Sequence, residues 1–345
     1  MKTILKDNFY EFIERLLENY KVIAPVKKEK GVLFSFVSDP NDIDLIYKGH
    51  TLLSPKRFFL PEKEVLFTYE KNGNGVTIYD KCEEVEASKR VLVGIHPCDI
   101  QGLIYLDKVF IKDFNDPYYI ARRKNTLIIG LTCREPADYC FCSYTGSGPM
   151  IRDGFDLMLT DLGDLYLVEI GSEEGERLIK FNLDLFEEAS EDHIKERDRI
   201  LKEVDAKIRR YKMASIDGIY DLMMEKFNDP LWDMYGEKCL SCGKCNYVCP
   251  TCRCFDIYEE PDYSLRSGKR VRVWDSCHFL SFTRVAGGKV FREERRSRIK
   301  QRVFHKYFYS IDEIGSISCV GCGRCIEVCP ARIDIREIFN KVMNR

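Results

Sequence analysis

The sequence predicts a protein of the α+β or α/β class, in which an N-terminal mixed-sheet domain precedes a mostly α-helical domain. Val91–Ile95 and Leu127–Leu131 are fully apolar runs, typical of strands that are buried on both faces. Two copies of one cysteine spacing stand near the C-terminus, at Cys239–Pro250 and Cys319–Pro330. A charged, helical stretch separates the two regions. The expected division is a sheet domain at 1–180, a helical linker at 181–228 and a cysteine-rich domain at 229–345.

The N-terminal region opens with a predicted helix and continues mainly as strands. Phe9, Phe12 and Leu16 recur at helical spacing within Asp7–Tyr20. Short β-branched or aromatic runs with turn residues between them predict the strands that follow. These are Lys21–Val26, Gly31–Val37, Glu64–Tyr69, Val76–Tyr79, Arg90–Ile95, Thr126–Leu131, Leu157–Thr160 and Leu165–Ile170. Helices are expected at Glu173–Lys180 and, as one long solvated segment, at Ala189–Tyr211.

Each C-terminal motif reads C-x-x-C-x-x-C-x-x-x-C-P, the spacing that holds [4Fe–4S] clusters. Three thiolates on one tight loop reach three corners of a cubane, and in two-cluster proteins the fourth cysteine binds the other cluster. We therefore expect a ferredoxin-like domain with two [4Fe–4S] clusters. The expected ligands are Cys239, Cys242, Cys245 and Cys329 for the first cluster, and Cys319, Cys322, Cys325 and Cys249 for the second.

Zinc and disulfides are weaker interpretations of these motifs. Zinc sites favour C-x-x-C pairs separated by a longer loop, whereas here four cysteines lie within eleven residues. Disulfides need an oxidising compartment, but the chain begins MKTILKDNFY without an apolar signal region and has no long uncharged run. We expect a cytoplasmic protein that does not cross a membrane.

Composition limits the partners and leaves many cysteines to explain. The 345 residues include 54 Lys and Arg against 56 Asp and Glu, and the net charge of -2 does not favour nucleic acid as a general partner. The tandem motifs use eight of the 16 cysteines. The remaining eight are Cys82, Cys98, Cys133, Cys140, Cys142, Cys252, Cys254 and Cys277. Cys82 stands alone on a charged stretch, where we expect no role.

Four of these cysteines lie in the predicted sheet domain. Cys98 and Cys133 each follow a buried strand, and Cys140 and Cys142 lie on the loop after the second strand. Ligands usually bind at this rim of an α/β sheet. Our hypothesis is a third [4Fe–4S] cluster on the four thiols; the alternative is that they are ordinary small buried residues.

Cys252, Cys254 and Cys277 form another group, between the tandem motifs. They are candidate ligands of a further cluster, with His278 or Asp275 as the fourth ligand. They are equally candidates for packing or supporting residues beside the two expected clusters, and we favour this second interpretation slightly.

The segment between the motifs is also basic. From Arg266 to Lys306 it has thirteen Lys and Arg against three Asp and Glu. No nucleic-acid recognition motif accompanies it, so docking of an acidic partner subunit is the favoured interpretation and a solvated surface the alternative. Because dinucleotide, P-loop, nucleophile-elbow and zinc-protease motifs are all missing, we expect a subunit of a larger redox enzyme.

Several short motifs together resemble a known family. They are Ser54–Phe59, His96–Ile100, Tyr139–Cys142, Gly154–Leu157, Cys249–Cys254, Trp274–Cys277, Ala286–Gly288 and Cys319–Cys325. In this order they resemble the β subunit of cytoplasmic, NAD(P)-linked [NiFe] sulfhydrogenases, and the A-type subunit of anaerobic sulfite reductases is similar across the same landmarks.

The resemblance implies a non-catalytic iron–sulfur subunit. It would relay electrons between a flavoprotein subunit that holds FAD and NAD(P) and the small and large hydrogenase subunits of a hetero-oligomer. One alternative is the A-type subunit of an anaerobic sulfite reductase, whose partner carries sirohaem. A second, of another class, is an iron–sulfur redox sensor or scaffold that binds nucleic acid through the basic segment.

Overall fold

The computed structural model describes residues 1–344, with residue 113 described by its backbone alone. The strands are β1 (Lys2–Leu5), β2 (Lys21–Lys28), β3 (Gly31–Val37), β4 (Lys63–Asn72), β5 (Gly75–Asp80), β6 (Arg90–Ile95), β7 (Thr126–Leu131), β8 (Leu157–Asp161), β9 (Leu165–Ile170), β10 (Glu187–Glu188), β11 (Phe255–Pro261) and β12 (Ser267–Trp274). The N-terminal helices are α1 (Lys6–Asn19), α2 (Cys82–Glu86), α3 (Pro97–Asp107), α4 (Pro117–Lys124), α5 (Cys142–Thr145), α6 (Glu173–Lys180) and α7 (Glu191–Ile208). The later helices are α8 (Ile219–Glu225), α9 (Leu231–Lys238), α10 (Lys244–Tyr247), α11 (Arg295–Phe304), α12 (Ser310–Ile314), α13 (Arg324–Glu327) and α14 (Ile335–Met343).

The larger sheet has eight strands in the order β10-β1-β9-β8-β7-β6-β2-β3. The central strands β2, β6, β7 and β8 are parallel, and the outer pairs are antiparallel. Helix α1 packs Phe9, Phe12 and Ile13 into the core of this sheet. Because β6 and β7 run side by side in the same direction, their carboxyl ends place Cys98 and Cys133 at one rim.

The smaller sheet joins strands from distant parts of the chain, in the order β11-β12-β4-β5. Strands β11 and β12 lie between the two cysteine motifs, yet β12 pairs antiparallel with β4 from the N-terminal half. The segment that separates the motifs is therefore partly a β-hairpin that extends an N-terminal sheet. The division at residues 180 and 228 stays a prediction.

Helices surround the two motifs at the C-terminal end. Trp232, Phe304 and Tyr307 are buried in one core with residues of α8, α9, α11 and α14. Helices α3 and α11 each continue into a π-helical turn, at Lys108–Asp113 and His305–Tyr309. Among residues 1–344, no helix combines the length and the apolar character that a membrane crossing requires.

The predicted fold class is confirmed, because a mixed-sheet region precedes a region of short helices. All eight predicted strands are present, and four have the predicted ends: β3, β6, β7 and β9. The long helix is shorter than predicted at both ends: Ser190 caps its start by accepting from the His193 backbone N–H, and the helix ends at Ile208. Strands β1, β10, β11 and β12 were not predicted from the sequence.

Candidate iron–sulfur centre

The first motif and two cysteines of the second motif enclose one cavity. Five cysteines line it: Cys239, Cys242, Cys245 and Cys329 are the predicted ligands of the first cluster, and Cys325 is the fifth. Backbone N–H groups point at two of these sulfurs: Ser241 N lies 3.4 Å from Cys239 Sγ, and Ile333 N lies 3.3 Å from Cys329 Sγ. Hydrogen bonds of this kind stabilise cluster thiolates. The structure thus brings together all four residues that the crossed-ligand prediction assigns to the first cluster.

The second motif lies beside Cys249, its predicted fourth ligand. The charge of Cys249 acts on the pKa of Cys322 and of Cys325, and that of Cys325 acts on Cys319. Burial is the main cause that raises the pKa of each of these three thiols. Thiols of this kind stay protonated until a metal displaces the proton, so their donor set fits iron–sulfur ligation.

The two predicted cluster sites adjoin each other. Burial is the main cause that raises the pKa of Cys245 to about 12, and Cys325 of the second motif is one of the neighbours that contribute to this shift. Cys325 also lines the cavity of the first motif. Arg302 lies between the two sites, and Cys245 and Cys325 are the thiols that do most to raise its pKa against the effect of burial. A shared cation therefore faces both predicted clusters.

The four N-terminal thiols converge as predicted at the rim of the larger sheet. Cys98, Cys140 and Cys142 pack in one buried cluster, and Cys133 is buried beside them. Burial is the main cause that raises the pKa of Cys133 to about 12, and the charge of Cys140 contributes to the same shift. Burial is likewise the main cause that raises the pKa of Cys142, and the charges of Cys140 and Cys133 contribute to the shift. This donor set also fits an iron–sulfur cluster.

The N-terminal thiols pack directly on the second motif. Cys322 belongs to the same buried cluster as Cys98 and Cys142, and the Phe141 backbone N–H donates to Gly321 O at 2.7 Å. A Cβ at Gly321 would lie 2.6 Å from the Cys142 backbone. Only glycine allows this approach, since its φ of +63° also disfavours other residues.

A buried ion pair fastens the same junction. Arg324, in the second motif, donates to both carboxylate oxygens of Asp99 at 2.8 and 2.6 Å, and its Nε donates to Thr51 O at 2.8 Å. Asp99 is the residue after Cys98 and also accepts from Ser54 Oγ at 3.0 Å. A bidentate pair of this kind fixes the position of both thiol groups.

Three buried cations lie near the thiols and were not predicted as site residues: Lys56, Arg302 and Lys306. Within residues 1–344 none of them forms an ion pair with a carboxylate; Lys56 Nζ donates to Cys252 O at 2.8 Å, and Lys306 Nζ donates to Thr251 Oγ1 at 2.6 Å. Buried charges need partners, so their most direct counterions are the sulfurs around them. Arg302 and Lys306 belong to a run of many cations, and Lys56 is a residue of a separate short motif. The sequence alone therefore does not distinguish these three as site residues.

The basic segment therefore presents fewer exposed cations for docking a partner than its composition indicated. Four of its thirteen cations are buried: Arg272, Arg298, Arg302 and Lys306. The sequence pattern does not separate them from the exposed ones, because burial is set by packing against β4 and the cysteine motifs.

The third cysteine group is also brought together. Cys252, Cys254 and Cys277 line one cavity, whereas His278 lies by the first motif with its Nδ1 3.9 Å from Cys239 Sγ. Asp275 contacts the group through its backbone N–H, which donates to Cys254 O at 2.9 Å. Cys82 is a half-buried residue of α2, outside all three groups.

Comparisons with known proteins agree with this geometry. The family model of the 4Fe-4S dicluster domain matches residues 238–333. Sulfhydrogenase 2 subunit beta of Pyrococcus furiosus is 38% identical over 339 residues, which cover 97% of this chain and 96% of that protein. The chain belongs to the sulfhydrogenase β-subunit family.

Family and domain together identify an iron–sulfur electron-transfer subunit of the hydrogenase type, and the expected resemblance is confirmed. A relative of lower identity is F420-dependent formate dehydrogenase subunit beta of Methanocaldococcus jannaschii. It is 25% identical over 179 residues, or 51% of this chain and 38% of that protein.

Proposed function

We propose that this chain carries electrons through three [4Fe–4S] clusters, as a non-catalytic subunit of a cytoplasmic, NAD(P)-linked hydrogenase complex. The clusters would occupy the two tandem sites and the N-terminal thiols. Electrons would pass between a flavoprotein subunit that holds FAD and NAD(P) and the small and large hydrogenase subunits.

The continuous contact among the three thiol groups is the observation that carries this proposal. Cys322 of the second site packs with Cys98 and Cys142, and Cys325 of the same site faces Cys245 of the first. The second site is therefore central, with one neighbouring site on each side. Clusters bound in this order would lie in series with no intervening element.

Both ends of the series reach the surface, as a relay requires. At one end Cys242 is exposed and its neighbour Leu240 is 60% exposed. At the other end an open cavity is lined by Thr132 and Arg134, the residues that flank Cys133. Exposed positions at both ends suit docking of two different redox partners.

The test measures two activities of the assembled complex. Cys322→Ala should strongly slow NAD(P)H-linked turnover, because it removes a ligand of the central cluster, while dye-linked hydrogenase activity at the partner's own centre is largely kept. Cys82→Ala is the matched control and should change neither activity. Equal loss of both activities in a complex that still assembles would contradict the relay.

Copurification of the native complex identifies the partners. We expect a nickel-containing subunit together with a flavin-containing one. A sirohaem subunit in place of the nickel subunit would assign the chain to an anaerobic sulfite reductase instead.

A further inference from the structure

A separate cavity lies beside the second tandem site and is lined by cysteines that neither the tandem nor the N-terminal site uses. Its wall includes Cys252, Cys254, Cys277, His305 and Lys306. The cysteines come from two places: Cys252 and Cys254 follow the first motif, and Cys277 lies just after β12. The hairpin β11–β12 therefore brings the third thiol to the other two.

The sulfurs in this cavity lie close together. Cys254 and Cys277 lie close enough that each is the largest influence on the pKa of the other, and the same holds for Cys249 and Cys252. Asn246 Nδ2 lies 3.1 Å from Cys277 Sγ, in the position of a hydrogen-bond donor to a ligating sulfur. Thiols this close suit ligands of the same or of adjacent iron atoms.

The charges around the cavity require an anion. Lys56 and Lys306 are both buried, and Cys252 is among the nearest sulfurs of each. Neither lysine pairs with a carboxylate in the described part of the chain. Thiolates on an anionic cluster would supply both lysines with counterions in the interior.

A histidine lies in the wall of the same cavity. His305 belongs to the π-helical turn that follows α11, a distortion that is frequent at functional sites. Its Nε2 is buried and has no hydrogen bond within residues 1–344, although Glu313 Oε2 lies 3.5 Å away. Apart from this carboxylate, His305 shares its cavity with three thiols, and a neutral imidazole nitrogen is a common metal ligand.

We propose that Cys252, Cys254, Cys277 and His305 hold an additional iron–sulfur cluster. This assignment replaces His278, which lies at the first tandem site, as the fourth ligand. Because Cys249 joins the cavity to the second tandem site, that site becomes a junction with three neighbours, and the chain holds a branch in addition to the linear series. The inference stands independently of the proposed partners.

The test compares the metal content of anaerobically purified chains. Alanine replaces cysteine, because a serine oxygen can still bind iron. Cys254→Ala and Cys277→Ala should each lose about two or about four irons, for a [2Fe–2S] or a [4Fe–4S] cluster, with an equal loss of acid-labile sulfide. His305→Ala should lose the same iron or change the electron paramagnetic resonance signal of this cluster.

Two controls make the result specific. Cys82→Ala should keep its full metal content, and Cys142→Ala should lose the N-terminal cluster while keeping the signal of this cavity. Cys254 is only half-buried, so its variant gives a reading even where Cys277→Ala fails to fold. Unchanged iron in Cys254→Ala overturns the proposal, and so does loss of a single zinc ion or a Cys254–Cys277 disulfide in the wild type.

Discussion

The buried cations of the smaller sheet and those of the cysteine centre are held in different ways. In the sheet, Arg272 on β12 lies 2.5 Å from Glu64 on β4, and Glu64 is also 2.7 Å from Arg122. Between the cysteine sites, Arg302 and Lys306 are buried to a similar degree, but no carboxylate within residues 1–344 pairs with them.

The difference shows which part of the molecule depends on its cofactors. A cation that is paired with a carboxylate of the same chain is neutralised by folding itself. A buried cation among thiols is neutralised as those thiols are deprotonated, and iron binding deprotonates every thiol that ligates it. The smaller sheet should therefore be stable without metal, whereas the cysteine centre should need its clusters in order to fold completely.

Removal of the clusters should have the largest effect. In the apo protein we expect amide hydrogens in residues 238–254 and 276–333 to exchange rapidly, because the buried cations there lose their counterions. Strands β6 and β7 should stay protected. Hydrogen exchange with mass spectrometry measures both regions, and equal protection of residues 238–254 and 276–333 in apo and holo protein would count against this difference.

A break in the carboxylate-paired region should be the next largest effect. Glu64→Ala leaves Arg272 with Asp116 alone and Arg122 unpaired, so the free energy of unfolding should fall by about 3–5 kcal/mol. Glu259→Ala, in the exposed pair with Arg270, is the control and should cost less than about 1 kcal/mol. Denaturant unfolding of the holo protein compares the two variants. Similar losses of unfolding free energy would show that the buried pair is worth no more than the exposed one.

Gly243 and Gly323 occupy equivalent positions in the two motifs, and Gly323 is the one that packs against the N-terminal backbone. Gly323→Ala places a Cβ 2.6 Å from the Tyr139 backbone, whereas Gly243→Ala meets the Phe279 ring, which can move. Both positions have positive φ, so both variants carry about 1 kcal/mol of strain, and Gly323→Ala should lose about 1–3 kcal/mol more. Thermal unfolding distinguishes the two variants. Equal melting temperatures would show that the loop at Tyr139 moves to accommodate the added Cβ.

Replacement of the shared cation should have the smallest effect. Arg302→Gln removes a positive charge beside both tandem sites, so reduction of their clusters becomes less favourable. We expect potentials lower by about 30–60 mV, where 59 mV is tenfold in a one-electron equilibrium. The exposed Arg296→Gln is the control. A redox titration monitored by electron paramagnetic resonance should show no shift in the control, and an unshifted Arg302→Gln would argue against a cation shared by two clusters.

Local spacing carried most of what the sequence could predict. The tandem motifs identified the eight cysteines because cluster ligation depends on a short loop, and strands β6 and β7 located Cys98 and Cys133 because parallel strands end at one rim. The hairpin β11–β12 and the position of His305 depend on contacts between distant segments. No local pattern in the basic segment separates Arg302 from its exposed neighbours.

The most direct test of the three-site series is the iron and sulfide content of three single variants. Cys245→Ala, Cys322→Ala and Cys142→Ala each remove one ligand from one of the three sites. Each variant should lose about four irons and four sulfides relative to the anaerobically purified wild type. If Cys142→Ala keeps the full wild-type content, the N-terminal thiols hold no cluster and the series ends at the second tandem site.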